Sequence, residues 1–188
     1  MRVIAGSARG RRLRAPKGHG TRPITDRAKE AIFNMVRFQI PIDGATVVDL
    51  FAGSGSFGIE CLSRGAERSV FVERNRGAAA TIAANLEELG FADRAEIMVR
   101  PVERVVDRLD HADLAFCDPP YADDPWARLL PRIRADLLVG HAETPVELVP
   151  PWAAVRRRTY GRSEIVIAAR APRETASLGD PAPEGDGA

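Results

Sequence analysis

Val47-Val48-Asp49-Leu50-Phe51-Ala52-Gly53-Ser54-Gly55-Ser56-Phe57-Gly58 is the stretch that decides the fold. A β-branched apolar run from Thr46 to Leu50 breaks into glycines. Apolar residues then resume at helical spacing, Ile59 and Leu62, before Gly65. The pattern predicts strand, tight turn and helix, the opening unit of a nucleotide-binding α/β sheet. Glycines let the backbone approach a ligand that Cβ atoms would hold off. A helix starting near Ser56 points unpaired N–H groups into the turn. Twenty-four residues beyond Asp49, Ser69-Val70-Phe71-Val72-Glu73 reads as a second strand ending in a carboxylate that can accept two ribose hydroxyls.

Gly53-x-Gly55-x-x-Gly58 also satisfies a dinucleotide fingerprint, so the glycines alone leave the cofactor open. Asp49, just ahead of the turn, bears on the choice. A second anion there repels a pyrophosphate and suits a ligand whose near end is cationic. S-adenosylmethionine carries a sulfonium and an α-ammonium group and is favoured over NAD. The expected cofactor-binding residues are Asp49, Ala52, Gly53, Gly55 and Glu73, joined by Asp118.

Asp118-Pro119-Pro120-Tyr121 directly follows an apolar strand, Leu114-Ala115-Phe116-Cys117. In an open parallel sheet, ligands gather beyond the C-terminal strand ends near the switch point, which would place Asp118 beside the glycine turn. The prolines stiffen the backbone and remove N–H donors. An Asp carboxylate and the Pro119 carbonyl then form two acceptors suited to an exocyclic amine. Tyr121 offers a flat face for a base, worth about 1–3 kcal/mol. Asp118, Pro119 and Tyr121 are the expected catalytic residues.

A chain of 188 residues is read as essentially one globular body with a real core. No apolar run reaches the roughly 20 residues of a membrane span and no charged-then-apolar leader precedes Gly6, so the cytoplasm is expected. Cys61 and Cys117 are too few for a disulfide framework and show no metal-ligand spacing with the histidines; both read as core. No metal is expected.

The net charge of +1 hides an asymmetry. Residues 1–37 hold ten basic side chains against Asp26 and Glu30, a surplus of eight, which leaves the remainder about seven negative. A basic arm on an acidic body argues for an anionic partner docking on one face. Arg9, Arg11, Arg12 and Arg22 are the expected phosphate contacts, with Tyr121 on the target base.

Arg2 to Ala5 and Arg11 to Arg14 flank a small-residue turn and read as a two-stranded hairpin. Thr25 or Asp26 caps a helix whose apolar face is Ala28, Ala31, Ile32, Met35 and Val36. A second long helix spans Arg76 to Leu89, stopped by Gly90. Ala95 to Val99 and Ala112 to Cys117 are strands, Pro125 to Leu138 is expected mostly helical, and Pro145 to Val149 is the candidate fifth strand. Val155 to Tyr160 and Glu164 to Ala169 form a closing antiparallel pair. The expected fold is α/β: a Rossmann-like three-layer αβα sandwich, its mostly parallel sheet ending in an antiparallel hairpin, plus the N-terminal β-hairpin. The expected division is a basic docking segment (1–40), a catalytic domain (41–171) and a disordered tail (172–188).

The glycine turn with Asp-Pro-Pro-Tyr resembles the S-adenosylmethionine-dependent amino-methyltransferases that act on nucleobases. Within that group the chain resembles the RsmD family. The resemblance rests on Ile4 to Leu13, Thr21 to Arg27, Glu30-Ala31-Ile32-Phe33-Asn34, Asp49 to Gly55, Leu62 to Ala66, Phe71-Val72-Glu73 and Tyr160-Gly161. It implies class I methyltransferase chemistry on the N2 of one guanine in 16S rRNA, with the assembled small ribosomal subunit as substrate; a monomer is expected. Arg100-Pro101-Val102 stands where many relatives carry an acidic or amide residue near the adenine amine, which leaves Glu103 as the nearest candidate. Two rival readings are a DNA adenine or cytosine amino-methyltransferase, which shares Asp-Pro-Pro-Tyr but commonly adds a target-recognition insert, and an inactive RNA-binding assembly factor.

Overall fold

β1 (Thr46–Leu50) lies inside a seven-stranded sheet of order β3–β2–β1–β4–β5–β7–β6. The computed structural model describes residues 1–16, 25–120, 125–161 and 163–171. β2 (Arg68–Val72), β3 (Ala95–Met98), β4 (Ala112–Cys117) and β5 (Ala135–Ala142) run parallel to β1. β7 (Ser163–Arg170) pairs antiparallel with β5, and β6 (Trp152–Tyr160) closes the edge against β7. The strand order turns outward in both directions from the β1–β4 pair, so the switch point falls at their C-terminal ends.

Four helices, α1 (Asp26–Val36), α2 (Ser56–Ser63), α3 (Arg76–Leu89) and the short α4 (Trp126–Leu129), cover this sheet. Ile32, Phe33 and Val36 of α1 and Phe57 of α2 pack on Phe116, Val139, Ile165 and Ile167. Phe57 stacks between Phe33 and Phe116, with ring centroids 4.8 and 3.9 Å away. Ile82 and Leu86 of α3 join Ile59 and Leu62 of α2 over Phe71. The opposite face is covered by Val102, Val106, Trp126 and Leu129 on Leu50, Ala115 and Leu138. Both cysteines are buried, as their sequence context implies. Among the described residues no helix is long and apolar enough to cross a membrane.

Three expectations change. The fifth strand is Ala135–Ala142, not Pro145 to Val149, and the helix predicted over Pro125 to Leu138 shrinks to one turn followed by a 3₁₀ turn at Leu130–Arg132. Leu137 to Ala142 is buried on both faces between β4 and β7. A strand buried on both sides loses its alternation and reads like a buried helix. Pro145 to Val149 instead folds against the core through Val146, whose N–H donates to Glu164 Oε2 at 3.0 Å. On α1 the inward face carries Lys29 and Phe33, while Ala28, Ala31 and Met35 are only half-buried.

The N-terminal hairpin is shorter than read: one antiparallel bridge, Arg2 to Arg12, flanked by Val3 N–H to Arg11 O (3.0 Å) and Gly10 N–H to Val3 O (2.9 Å). Its Val3, Ala8 and Leu13 are buried with α2 and α3. Gly6, at φ 80°, lies so near α2 that a Cβ would sit 1.7 Å from the Ser63 carbonyl oxygen.

Candidate active site

The register of the parallel strands brings the site residues into one row. Leu50 pairs with Val72 on one side and Cys117 on the other, and Val72 and Cys117 pair in turn with Met98 and Gly140. The next residues are Val99, Glu73, Phe51, Asp118 and His141, side by side at the C-terminal edge of the sheet. Phe51 turns the chain out of β1 at φ 60°, a conformation that costs a non-glycine residue about 1–3 kcal/mol. Such strain persists where surrounding structure holds it, here at the head of the glycine turn.

Asp49 lies under this row, 1 % exposed, and its Oδ2 accepts the Gly58 N–H at 3.0 Å. One carboxylate thus ties β1 to the first turn of α2. Burial raises its pKa well above the ordinary carboxylate value; the Gly58 hydrogen bond opposes that, and the charges of Asp118 and Glu73 add to it. A cation in the site would oppose the repulsion among these carboxylates.

The three glycines divide the work. A Cβ on Gly53 would meet little besides the Phe51 carbonyl oxygen at 3.9 Å, so of the three this position has open space beside it. A Cβ on Gly55 would press on Ile82 at 3.1 Å, and one on Gly58 would run into Phe71 at 2.4 Å. At those two positions the missing Cβ makes room for Ile82 and Phe71, so helix–sheet packing also requires glycine there. Ala52 is buried and its N–H donates to Val72 O at 3.0 Å, stitching the turn to β2. Glu73 Oε2 accepts from Gly53 N–H (2.8 Å) and Oε1 from Asn75 N–H (2.7 Å). Each carboxylate oxygen keeps a second lone pair for a further donor.

Asp118 has a 30 % exposed side chain, and its Oδ1 lies 2.8 Å from His141 Nδ1. The histidine, on β5, is nearly buried and was missed by sequence reading because its strand was read as helix and loop. Pro119 is buried beside it. Tyr121 and Arg22 lie outside the described residues. Glu103 follows β3 in a 3₁₀ turn at Val102–Arg104, close enough for its charge to help burial raise the Cys117 thiol pKa.

A buried ionic cluster fixes the basic arm to this site. Glu60, fully buried on α2, accepts the N–H groups of Ile4 (2.8 Å) and Ala5 (2.9 Å) and pairs with Lys29 (3.3 Å) and Arg64 (3.0 Å). Ser63 adds a bond to the Ala5 carbonyl (2.6 Å) and one from the Ala8 N–H (3.0 Å). Asn85 of α3 bonds the Arg14 N–H (2.9 Å) and carbonyl (3.1 Å), and Met1 Sδ accepts from the Ser54 hydroxyl at 3.4 Å. The hairpin therefore abuts the glycine turn itself. The arm is also less free of anions than its sequence implies: Arg2 pairs with Asp26, and Arg11 and Arg14 with Glu88. Arg9 and Arg12 are exposed and have no acidic partner among the described residues.

Three convergent carboxylates, an open glycine and an Asp-Pro-Pro turn on a Rossmann-like sheet define the class: a methyltransferase that uses S-adenosylmethionine. Residues 1–169 match the family model described as conserved hypothetical protein 95, and the chain belongs to that family, which includes the RsmD methyltransferases. It is 38% identical to "Putative rRNA methyltransferase YlbH" of Bacillus subtilis (strain 168) over 181 residues, 89% of this chain and 97% of the relative. It is 33% identical over 121 residues to "Ribosomal RNA small subunit methyltransferase D" of Escherichia coli (strain K12), a match spanning 64% of this chain and 60% of that one. The solved structure of "Putative methyltransferase yhhF from Escherichia coli" superposes with a TM-score of 0.81 at 28% identity, covering 91% of this chain and 98% of its own.

Proposed function

We propose that this protein methylates the exocyclic N2 of one guanine in 16S rRNA, acting on the assembled small ribosomal subunit. The observation that carries the reading is the row of Glu73, Phe51 and Asp118 above buried Asp49, with a docked basic arm beside it. The anionic character of the set fits the net positive head of S-adenosylmethionine. Asp49 and the turn from Ala52 to Gly55 would hold the methionine end, and Glu73 the ribose. Bound there, the cofactor supplies a methyl group whose bond to sulfur breaks, leaving its electron pair on sulfur, as the bond to the amine nitrogen forms.

The chain's own residues orient the nucleophile. The guanine N2 lone pair is delocalised into the ring. Acceptors placed on its two N–H bonds localise it and raise its nucleophilicity. Asp118 Oδ2 and the Pro119 carbonyl are those acceptors, Asp118 Oδ2 takes the amine proton late in the step, and Tyr121 stacks on the base. Arg9, Arg11, Arg12 and Arg22 hold phosphates.

The test uses small subunits from a strain lacking this protein, radiolabelled S-adenosylmethionine and nucleoside mass spectrometry. The expected product is N2-methylguanosine in 16S rRNA. Asp118→Ala should retain cofactor affinity and lose at least about 100-fold in methyl transfer. Label in naked duplex DNA rather than rRNA would favour the DNA amino-methyltransferase, and cofactor binding without transfer to any nucleic acid would favour an assembly factor.

A further inference from the structure

We infer that His141 is a positioning residue for Asp118, an inference that rests on the amine-methylation reading. β5 lies against β4 with Gly140 beside Cys117, so the residues that follow, His141 and Asp118, come side by side. The Nδ1 to Oδ1 distance is 2.8 Å, and the imidazole is 9 % exposed against 30 % for the carboxylate. An ionised carboxylate has only lone pairs to offer, so Nδ1 carries the proton. No other described group hydrogen-bonds the Asp118 side chain.

This bond divides the two oxygens of Asp118. Oδ1 is committed to the ring, which fixes the carboxylate's rotation. Oδ2, to which no described group donates, is left for the amine that the methylation reading sets between it and the Pro119 carbonyl. Without the ring, a part-exposed carboxylate turns about its side-chain bonds, and its acceptors no longer coincide with the two N–H directions of the amine. Misplacement of this size costs rate while leaving binding of the cofactor untouched. The ring also gives Asp118 a fixed donor in a row that holds two further carboxyl groups, Glu73 and, beneath it, Asp49.

The test has two readouts on the full chain. In long-range ¹H–¹⁵N spectra of the three-histidine protein, His141 should show a protonated, hydrogen-bonded Nδ1 that is lost in Asp118→Ala. His111, which meets Asp136 through Nε2 at 2.9 Å, is an internal contrast. In turnover on small subunits, His141→Ala should lower kcat at least about tenfold with KM for S-adenosylmethionine within about twofold. His141→Asn, whose amide can place a donor near the former Nδ1, should recover most of that loss. A ring indifferent to Asp118→Ala, a wild-type kcat in His141→Ala, or an Asn variant as damaged as the Ala variant would overturn the inference. Absence of N2-methylguanosine with the wild type sinks the functional reading instead, and the spectra still decide the Asp118–His141 bond.

Discussion

Glu60→Gln isolates the clamp that joins the basic arm to the catalytic sheet. The amide keeps the carboxylate's shape but removes the charge facing Lys29, whose ammonium is 3.3 Å away and only 3 % exposed. Arg64, stacked 4.3 Å over the Phe33 ring and 18 % exposed, can turn its charge toward water. Lys29 has no such exit; its remaining partner is the Arg2 carbonyl at 2.7 Å. Stripping one charge from a buried pair costs about 3–5 kcal/mol, which for a chain of this length lowers Tm by about 6–20 °C. Burial already pulls the Lys29 pKa below its ordinary value, partly offset by Glu60. A base with a lowered folded-state pKa costs stability while charged, and that cost fades as pH rises through the folded value. The deficit of Glu60→Gln should therefore shrink toward high pH, and Lys29→Met in the same chain should recover part of it. The assay is thermal unfolding from neutral to alkaline pH, with amide exchange at Ile4 and Ala5, whose N–H groups end on this carboxylate. A loss under about 1 kcal/mol with unchanged Ile4 and Ala5 protection would refute the clamp.

Asp49→Asn tests the buried anion. Because the folded pKa is raised, the stability linked to protonated Asp49 is present below about pH 3.8 and is lost as pH climbs through the folded value. Affinity for S-adenosylmethionine should rise over the same window as the anion forms, and the Asn variant should flatten both profiles; superimposable calorimetric profiles would exclude Asp49 as the titrating group. Arg9→Ala with Arg12→Ala removes the two arm cations that have no acidic partner. Binding to small subunits should weaken and lose nearly two ion equivalents of salt dependence, with equal slopes for variant and wild type placing the docking surface elsewhere. Arg11→Ala alone should change less, because Glu88 already holds that guanidinium.

Local sequence determined much of this protein. The run from Thr46 to Gly58, the strand ending in Glu73, the capped helix to Gly90 and the turn after Cys117 each announce themselves within about a dozen residues, through period, caps and glycines. Their alternation implies a parallel sheet, and a parallel sheet puts strand ends together, so Asp49, Glu73 and Asp118 were legible as neighbours before any coordinates. β5 was not legible, since a strand covered on both faces carries no alternation to betray it, and His141 was hidden with it. Glu60 was equally silent: a glutamate on a helix reads as solvated surface, and only the docking of residues 1–14 turns it inward. Which glycine has open space beside it and which packs on Phe71 or Ile82 is likewise settled by packing. Sequence-local physics specifies elements and the residues at their ends. Burial, charge pairing and the free or committed state of each oxygen depend on what a distant segment brings against them, and only the tertiary structure decides that.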